Sequence, residues 1–341
     1  MTTTLDKWQR PLRTLRISVT DRCNLRCHYC MPEESYAWLP KPELLDFDEV
    51  VRLARLFCDL GVRRIRLTGG EPLLRRDLPV LIGMLKRQTA AEELSLTTNG
   101  LLLERFAVEL REAGLDRVTV SIDTLRPERF EALSRRDQLS ATLSGIDAAR
   151  AAGFEDLKLD TVAMKGINDD EVIALIDYAR GVGAEVRFIE YMDVGGATHW
   201  DASRVLTRTE ILTRVREAFG EAEPVPGRDS APAERFALPS GQTFGIIAST
   251  TQPFCGACDR SRLTADGLWL HCLYALEGVD LKTPLRAGED DDALRARLRE
   301  GWTQRDDRGA EARAASPDRQ ALVPVDRLKR NLHLEMHTRG G

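Results

Sequence analysis

The sequence predicts an α/β chain: a partial, incomplete six-stranded TIM-like (β/α)6 barrel with a smaller C-terminal α+β region covering the barrel opening. Between residue 14 and about residue 190, short β-rich runs alternate with helical patterns, the signature of parallel strands joined by crossover helices. The runs recur at roughly even spacing, and polar residues stand in or after each of them, where the carboxyl face of a parallel barrel gathers functional groups. After Tyr191 the rhythm breaks, and shorter strand-like runs surround a second group of cysteines.

The strands fall at LRISV (15–19), IRLT (65–68), LSLTT (94–98), VTVSID (118–123), LKLDTV (157–162) and VRFIEY (186–191). Between them, 48–60, 78–87, 101–113, 139–152 and 171–180 read as amphipathic helices, with Gly61, Gly114, Gly153 and Gly181 where C-terminal caps belong. A glycine-containing loop, MDVGGATHW, leads to a helix near 208–219 and then to EAEPVPGRDSAPAE, an exposed connection. RFAL, TFGII and LWLH are strand-like, and the highly charged stretch 288–320 reads as one helix followed by a flexible segment, with no chemistry assigned to it. The chain thus divides into a barrel over 1–195 and a C-terminal region over 196–341.

At 341 residues, with 43% hydrophobic and 30% charged residues, the chain can bury one large core or two moderate ones. The formal charge of −5 gives no global basic field, so no nucleic acid polymer is expected as partner, while 49 Lys and Arg leave room for a local cationic pocket. The N-terminus MTTTLDKWQRPLRTLR lacks an apolar signal core, and no apolar run approaches the ~20 residues of a membrane span. A cytoplasmic location without membrane association is the expectation.

Cys23, Cys27 and Cys30 form CxxxCxxC directly after the first strand, and Cys255, Cys258 and Cys272 form a second triad in CGACDRSRLTADGLWLHC. A closed zinc site takes four ligands, so three thiolates on one loop suggest a metal centre with an open position. On a four-iron cluster, three cysteines leave one iron for a substrate or cofactor. For the second triad a structural zinc with His271 or another group as fourth ligand is the alternative, and a zinc-stabilised RNA-binding module the competing class. Cys58, within a helical stretch, reads as a small buried apolar residue.

Arg16, Arg66, Thr97, Thr98, Ser121, Asp123, Lys158, Asp160, Arg187 and Glu190 lie in or end the six strands. A barrel filled only by packing would carry Val, Ile and Leu there, so the pattern suggests a polar, largely cationic cavity suited to phosphates. The run TGGEP follows the second strand; its glycines let backbone approach a ligand closely, and Glu71 can accept from an amine.

CxxxCxxC with Tyr29 before its last cysteine, followed by a strand and GGEP, resembles the radical S-adenosylmethionine superfamily. The second triad narrows the resemblance to the GTP 3′,8-cyclase family, which opens molybdenum cofactor biosynthesis. LRISVTDRCNLRCHYCMP, RLTGGEPLLRRDL, LTTNG, SIDTL, AMKGINDDEV, RFIEYMDVG and the terminal glycines support it. Two positions depart from the family pattern, Arg339 where an apolar residue is expected and Asp160 where Asn is commoner.

The resemblance implies two [4Fe–4S] clusters, one on Cys23, Cys27 and Cys30 and the other on Cys255, Cys258 and Cys272. It implies S-adenosyl-L-methionine contacted by Tyr29, Gly69, Gly70, Glu71, Ser121 and Met192. GTP would meet Arg16, Arg66, Thr97, Lys158, Arg260, Ser261 and Arg262, with Arg260, Arg262, Gly340 and Gly341 placed at the catalytic centre. The implied reaction is radical conversion of GTP to (8S)-3′,8-cyclo-7,8-dihydroguanosine 5′-triphosphate. An electron donor, a cyclic pyranopterin monophosphate synthase as product acceptor and a homodimer complete the implied partners. Within the superfamily, a peptide-modifying enzyme with an auxiliary cluster is the runner-up.

Overall fold

The computed structural model describes residues 3–227, 230–316 and 319–340. Six parallel strands, β1 (Thr14–Ser18), β2 (Arg64–Thr68), β3 (Glu93–Thr98), β4 (Arg117–Ser121), β5 (Lys158–Ala163) and β6 (Glu185–Glu190), lie side by side in sequence order. The helices between them are α1 (Phe47–Asp59), α2 (Leu78–Gln88), α3 (Leu103–Glu112), α4 (Pro127–Ser134), α5 (Leu139–Ala151) and α6 (Val172–Gly181). Local chemistry sets their ends. Asp46 and Glu49 make a reciprocal capping box at the start of α1, satisfying two amides that a helix terminus leaves open.

The short helix α4 has no counterpart among the sequence-predicted helices. Gly61, Gly114 and Gly153 follow their helices with positive φ as expected, but after α6 that role falls to Gly183, and Gly181 remains helical. Cys58 is buried on the inner face of α1. No helix among the described residues is long and apolar enough to cross a membrane.

After α7 (Arg208–Phe219) come β7 (Glu223–Pro224), β8 (Glu234–Ala237), β9 (Thr243–Ile247), β10 (Arg260–Leu263), β11 (Leu268–Leu270) and β12 (Val279–Asp280). They do not form a separate sheet. β10 pairs in parallel with β1, and β9 in parallel with β6, so C-terminal residues extend both edges that six strands leave open. β11 and β12 continue beyond β10 in antiparallel fashion, as β8 and β7 do beyond β9.

The two-residue period of a strand sorts the side chains. Leu15, Ile17, Ile65, Leu67, Leu94, Leu96, Val118, Val120, Leu159, Val186 and Phe188 are buried on the outer face, in the apolar layer beneath the helices. The alternate positions, including Arg16, Arg66, Thr97, Thr119, Lys158, Asp160 and Arg187, face inward. Parity also removes two residues from the sequence-predicted cavity. Thr98 and Glu190 stand one position out of phase and turn toward the shell. Glu190, 0% exposed, accepts from the amides of Arg208 (2.9 Å), Thr250 (3.0 Å) and Thr251 (2.8 Å), and from Thr251 Oγ1 (2.6 Å). It joins the end of β6 to the start of α7 and the segment after β9.

Glu190→Ala leaves three amides without their acceptor, so a loss of about 3 kcal/mol is expected. Urea unfolding of the apo chain checks this; a midpoint equal to that of the parent chain would refute the role.

Candidate active site

The first triad follows β1. Its loop is pinned to the end of α4: the amides of Arg26 and His28 donate to the carbonyls of Ser134 and Leu133, each at 3.0 Å. Arg26 Nη1 turns back to the carbonyls of Cys23 (2.9 Å) and Leu25 (2.7 Å). The three partly buried thiols are free of disulfides. Burial pushes Cys23 up to about 11, and burial with nearby Asp123 holds Cys27 well above the usual thiol range. Burial and then Cys23 raise Cys30 as well. Thiols so close repel one another once ionised, which a bound cation relieves.

Two sets of glycines make this loop possible. The β2 exit loop runs against the β1 exit loop, with Gly70 N donating to Thr20 O (2.8 Å) and Glu71 N to Arg22 O (2.7 Å). A Cβ at Gly69 would collide with the Thr20 carbonyl, and one at Gly70 with that of Arg22. On the other side, a Cβ at Gly196 would strike the Cys30 carbonyl. The Glu71 side chain is fully buried against the end of β3, and that burial lifts it to about 7. It accepts from Thr98 Oγ1 (2.7 Å) and from the amides of Asn99 (2.8 Å) and Leu73 (3.0 Å), so its carboxylate holds the β3 exit loop. Tyr29 donates its hydroxyl to Asp123 (2.7 Å), fastening the cysteine loop to the end of β4. Ser121 is partly exposed on the cavity face of β4, and Met192 lies just after β6.

A row of arginines crosses the barrel interior below this loop. Register places Arg262 opposite Arg16, and Arg16 opposite Arg66. Like charges directly opposite in a sheet are destabilising, and among the described residues none of the three forms an ion pair, although Asp160 acts on Arg16 and Arg66 from β5. Arg16 Nε is buried without a partner. Burial, then Arg262, Arg66 and Arg260, depress its pKa; burial and Arg187 bring Arg66 to about 10, and burial and Arg260 bring Arg262 to about 10. Arg66 Nη1 donates to Thr97 and Thr119, each at 3.0 Å. Lys158 is lowered to about 8 by burial and Arg187. Arg187, absent from the sequence-predicted ligands although noted at its strand end, donates to Asp160 (2.8 Å). Gly245 opposite leaves room for its side chain. Ser261 has the other parity: it pairs with Leu15, away from the interior, with Oγ buried and unpartnered.

The second triad forms at the opposite end of the same strands. Cys255 and Cys258 precede β10, while Cys272 follows the antiparallel β11 and so returns to the same end. Burial opposes ionisation of Cys258, but Arg260 and Arg305 bring it down to about 7; burial raises Cys255, and raises Cys272 to about 11. Among the described residues no three His, Cys, Asp or Glu groups gather around a single-ion position. Three cysteine thiols at each end are a donor set that fits a multi-iron group with one open iron.

The tail lies over the first end of the row. Arg262 Nη1 donates to the carbonyls of Arg339 (3.5 Å) and Gly340, and Gly340 sits so close to Thr68 that a Cβ would collide with its hydroxyl. Arg339, 1% exposed, has a use at its unusual position: it donates to the carbonyls of His333 (2.7 Å) and Leu273 (2.6 Å). Gly341 lies outside the described residues.

Residues 17–179 match the Radical SAM superfamily, and 184–311 match Molybdenum Cofactor Synthesis C. The chain is 53% identical over 340 residues to GTP 3′,8-cyclase 1 of Mycobacterium tuberculosis, covering 98% of this chain and 95% of the relative. It is 49% identical over 324 residues to the GTP 3′,8-cyclase of Acidothermus cellulolyticus, covering 92% and 89%. Among solved structures, Streptococcus suis SuiB bound to S-adenosylmethionine aligns with a TM-score of 0.60 at 15% identity, over 91% of this chain and 69% of that one, a likeness of fold.

Gly196→Ala is expected to displace the Cys30 carbonyl and loosen the first triad. Anaerobically reconstituted chain should lose iron while its far-ultraviolet dichroism stays unchanged; full iron retention would show that the loop absorbs the methyl group.

Proposed function

Because this chain belongs to the radical S-adenosylmethionine superfamily, and within it to the GTP 3′,8-cyclase family, we infer that its two cysteine triads and the arginine row between them form one active site. The enzyme acts on GTP in the first step of molybdenum cofactor biosynthesis, forming (8S)-3′,8-cyclo-7,8-dihydroguanosine 5′-triphosphate. A [4Fe–4S] cluster and S-adenosylmethionine belong to this chemistry. Cys23, Cys27 and Cys30 would hold that cluster, and Cys255, Cys258 and Cys272 a second one.

The observation that carries this reading is the row Arg262, Arg16 and Arg66, three side by side cations with no ion-pair partner among the described residues; the carboxylates of Asp160 and Glu93 act on them from β5 and β3. A triphosphate supplies the missing charge, and guanidinium forks match its oxygens. Lys158 and Arg187 add cationic groups on β5 and β6. The strands between the triads, five residues long in β1, span about 16 Å, a length that an extended nucleotide bridges. The purine would then lie toward Cys255, Cys258 and Cys272 and the ribose toward the first triad.

When bound, the first cluster and S-adenosylmethionine supply one-electron reduction and hydrogen-atom abstraction. The chain's own groups position and enclose. Tyr29, Gly69, Gly70, Ser121 and Met192 surround the cofactor's place; the Glu71 carboxylate shapes it by fixing Asn99. Arg260, Arg262 and the backbone of Ser261 hold the nucleotide from β10, and Gly340 brings the tail over it, excluding water. Residues 1–195 would thus serve radical generation and 196–341 substrate placement. An external electron donor and transfer of the product to the next pathway enzyme complete the proposal.

Anaerobic chain given GTP, S-adenosylmethionine and a reductant is expected to yield a cyclised nucleotide by mass analysis; its absence, with cofactor cleavage intact, would favour the peptide-modifying alternative. In the same assay Cys255→Ser should retain most reductive cleavage of the cofactor and lose cyclisation, whereas equal loss of both would count against separate roles for the triads. The lowered pKa of Lys158 adds a pH dependence. Below about 8 its ammonium is present to meet the triphosphate; above that the free enzyme must take up a proton to bind. GTP affinity should therefore fall by up to about tenfold per pH unit above this point, and Lys158→Arg should flatten the profile in calorimetry.

A further inference from the structure

The second triad is wrapped in buried charge that the roles above do not use. Arg305, 3% exposed, directs Nη1 to the Cys258 carbonyl (2.9 Å) and Nη2 to Cys258 Sγ (3.5 Å). Arg260 Nη2 reaches the same sulfur at 3.4 Å. The Arg305 guanidinium lies over the Trp302 ring, its carbon 4.4 Å from the centroid, and its Nε donates to Asp307 (3.2 Å). Behind it, buried Asp6 accepts from Arg10 Nε (2.6 Å) and lies 3.4 Å from Arg305 Nη1. Arg10 Nη1 donates to the carbonyls of Cys255 (3.0 Å) and Asp307 (2.9 Å), and Trp302 Nε1 donates to the Arg10 carbonyl (3.1 Å).

Packing alone does not call for this arrangement, since an apolar side chain fills such space without the desolvation of a buried ion. The first triad differs: among the described residues no arginine donates to any of its sulfurs, and carboxylates act on all three thiols, Glu71 on Cys23 (with Arg26 opposing), Asp123 on Cys27 and Glu335 on Cys30. At the second triad Glu311 acts on Cys255 and Asp307 on Cys272, but Cys258 takes both arginine contacts.

We propose that Arg305, clamped by Asp6 and Trp302, is a positioning residue that raises the reduction potential of a cluster on the second triad above that of the cluster on the first. The inference rests on the second triad holding a [4Fe–4S] cluster. One-electron reduction, [4Fe–4S]2+ plus an electron from a low-potential donor giving [4Fe–4S]+, adds negative charge. A buried guanidinium donating to a ligand sulfur stabilises the reduced form, whereas carboxylates around the first triad oppose reduction there. At a poise between the two potentials, an electron from the donor therefore resides beside the nucleotide's purine end.

Full-length chain is reconstituted anaerobically and titrated with dithionite and mediators while reduced-cluster signals are followed by electron paramagnetic resonance. The signal lost in Cys255→Ser identifies the second cluster. In Arg305→Met, the reduced-to-oxidised ratio of that cluster at a fixed poise should fall about tenfold, or about 59 mV for one electron, with the first cluster unmoved. Arg305→Lys should restore most of the shift. Asp6→Asn, which keeps Arg305 and removes its counter-charge, should move the same potential upward. This opposite sign decides the matter if Arg305→Met loses iron. A potential unchanged in the methionine variant at full iron content, or in Asp6→Asn, overturns the proposal alone. A parent chain with no signal dependent on Cys255 overturns the second cluster and the proposal together.

Discussion

The pairing of β10 with β1 is the contact on which the site depends. It is parallel, so the segment before β10 and the segment after β1 lie at opposite ends of one strand pair. Cys255 and Cys258 belong to the first segment, and Cys23, Cys27 and Cys30 to the second. The register then sets Arg262 opposite Arg16. A slip of one residue would bring Ser261 inward and send both Arg260 and Arg262 into the apolar outer layer. Leu15 and Ile17, fully buried on that outer face, make the slip costly. Hydrophobic burial on one side of β1 thereby fixes charge placement on the other.

That contact was also the part of the fold least legible in the sequence. The six barrel strands announce themselves by β-branched and aliphatic runs, and each lies within a few residues of its expected position. β10 spans only RSRL, two of whose four residues are charged, and its partner strand lies some 245 residues earlier in the chain, the separation of the Thr14–Asp259 contact beside it. No local pattern carries such a pairing. The charged stretch 288–320 misled for a related reason. Charge density reads as solvated surface, yet Arg305 is buried because Asp6 waits 299 residues away, and Arg313 and Arg319 converge on buried Asp193 at 2.7 and 2.8 Å. Composition describes a segment, whereas burial of an ion depends on the counter-ion that topology supplies.

The site residues divide along the same line. Cysteine spacing and the glycine pair were legible because they are local. Glu71, by contrast, looks like a ligand group in sequence and is a loop anchor in the fold, since three donors from two strand ends already surround it. Parity likewise separated Thr97 from Thr98. The glycines also gain a reason beyond cofactor approach: Gly69, Gly70 and Gly196 are places where neighbouring exit loops press on the cysteine loop. The first triad is held from both sides by backbone contacts that a side chain would break.

The three arginines of the row are not equally prepared for a ligand. Arg66 is held by Thr97 and Thr119, and Arg262 by the carbonyls of Arg339 and Gly340, so neither needs to lose its rotamer freedom, worth up to ~2 kcal/mol, when a nucleotide arrives. Arg16, between them, keeps its Nε unpartnered. On the proposed reading, two fixed cations would set where phosphate oxygens lie, and the central one keeps a donor for them. The mutual repulsion of the row, unfavourable in the free chain, turns into attraction once shared by one polyanion. Arg339 gains its meaning from this: by binding His333 and Leu273 it holds the tail carbonyls at Arg262, so a cation where an apolar residue is expected orders the far end of the row.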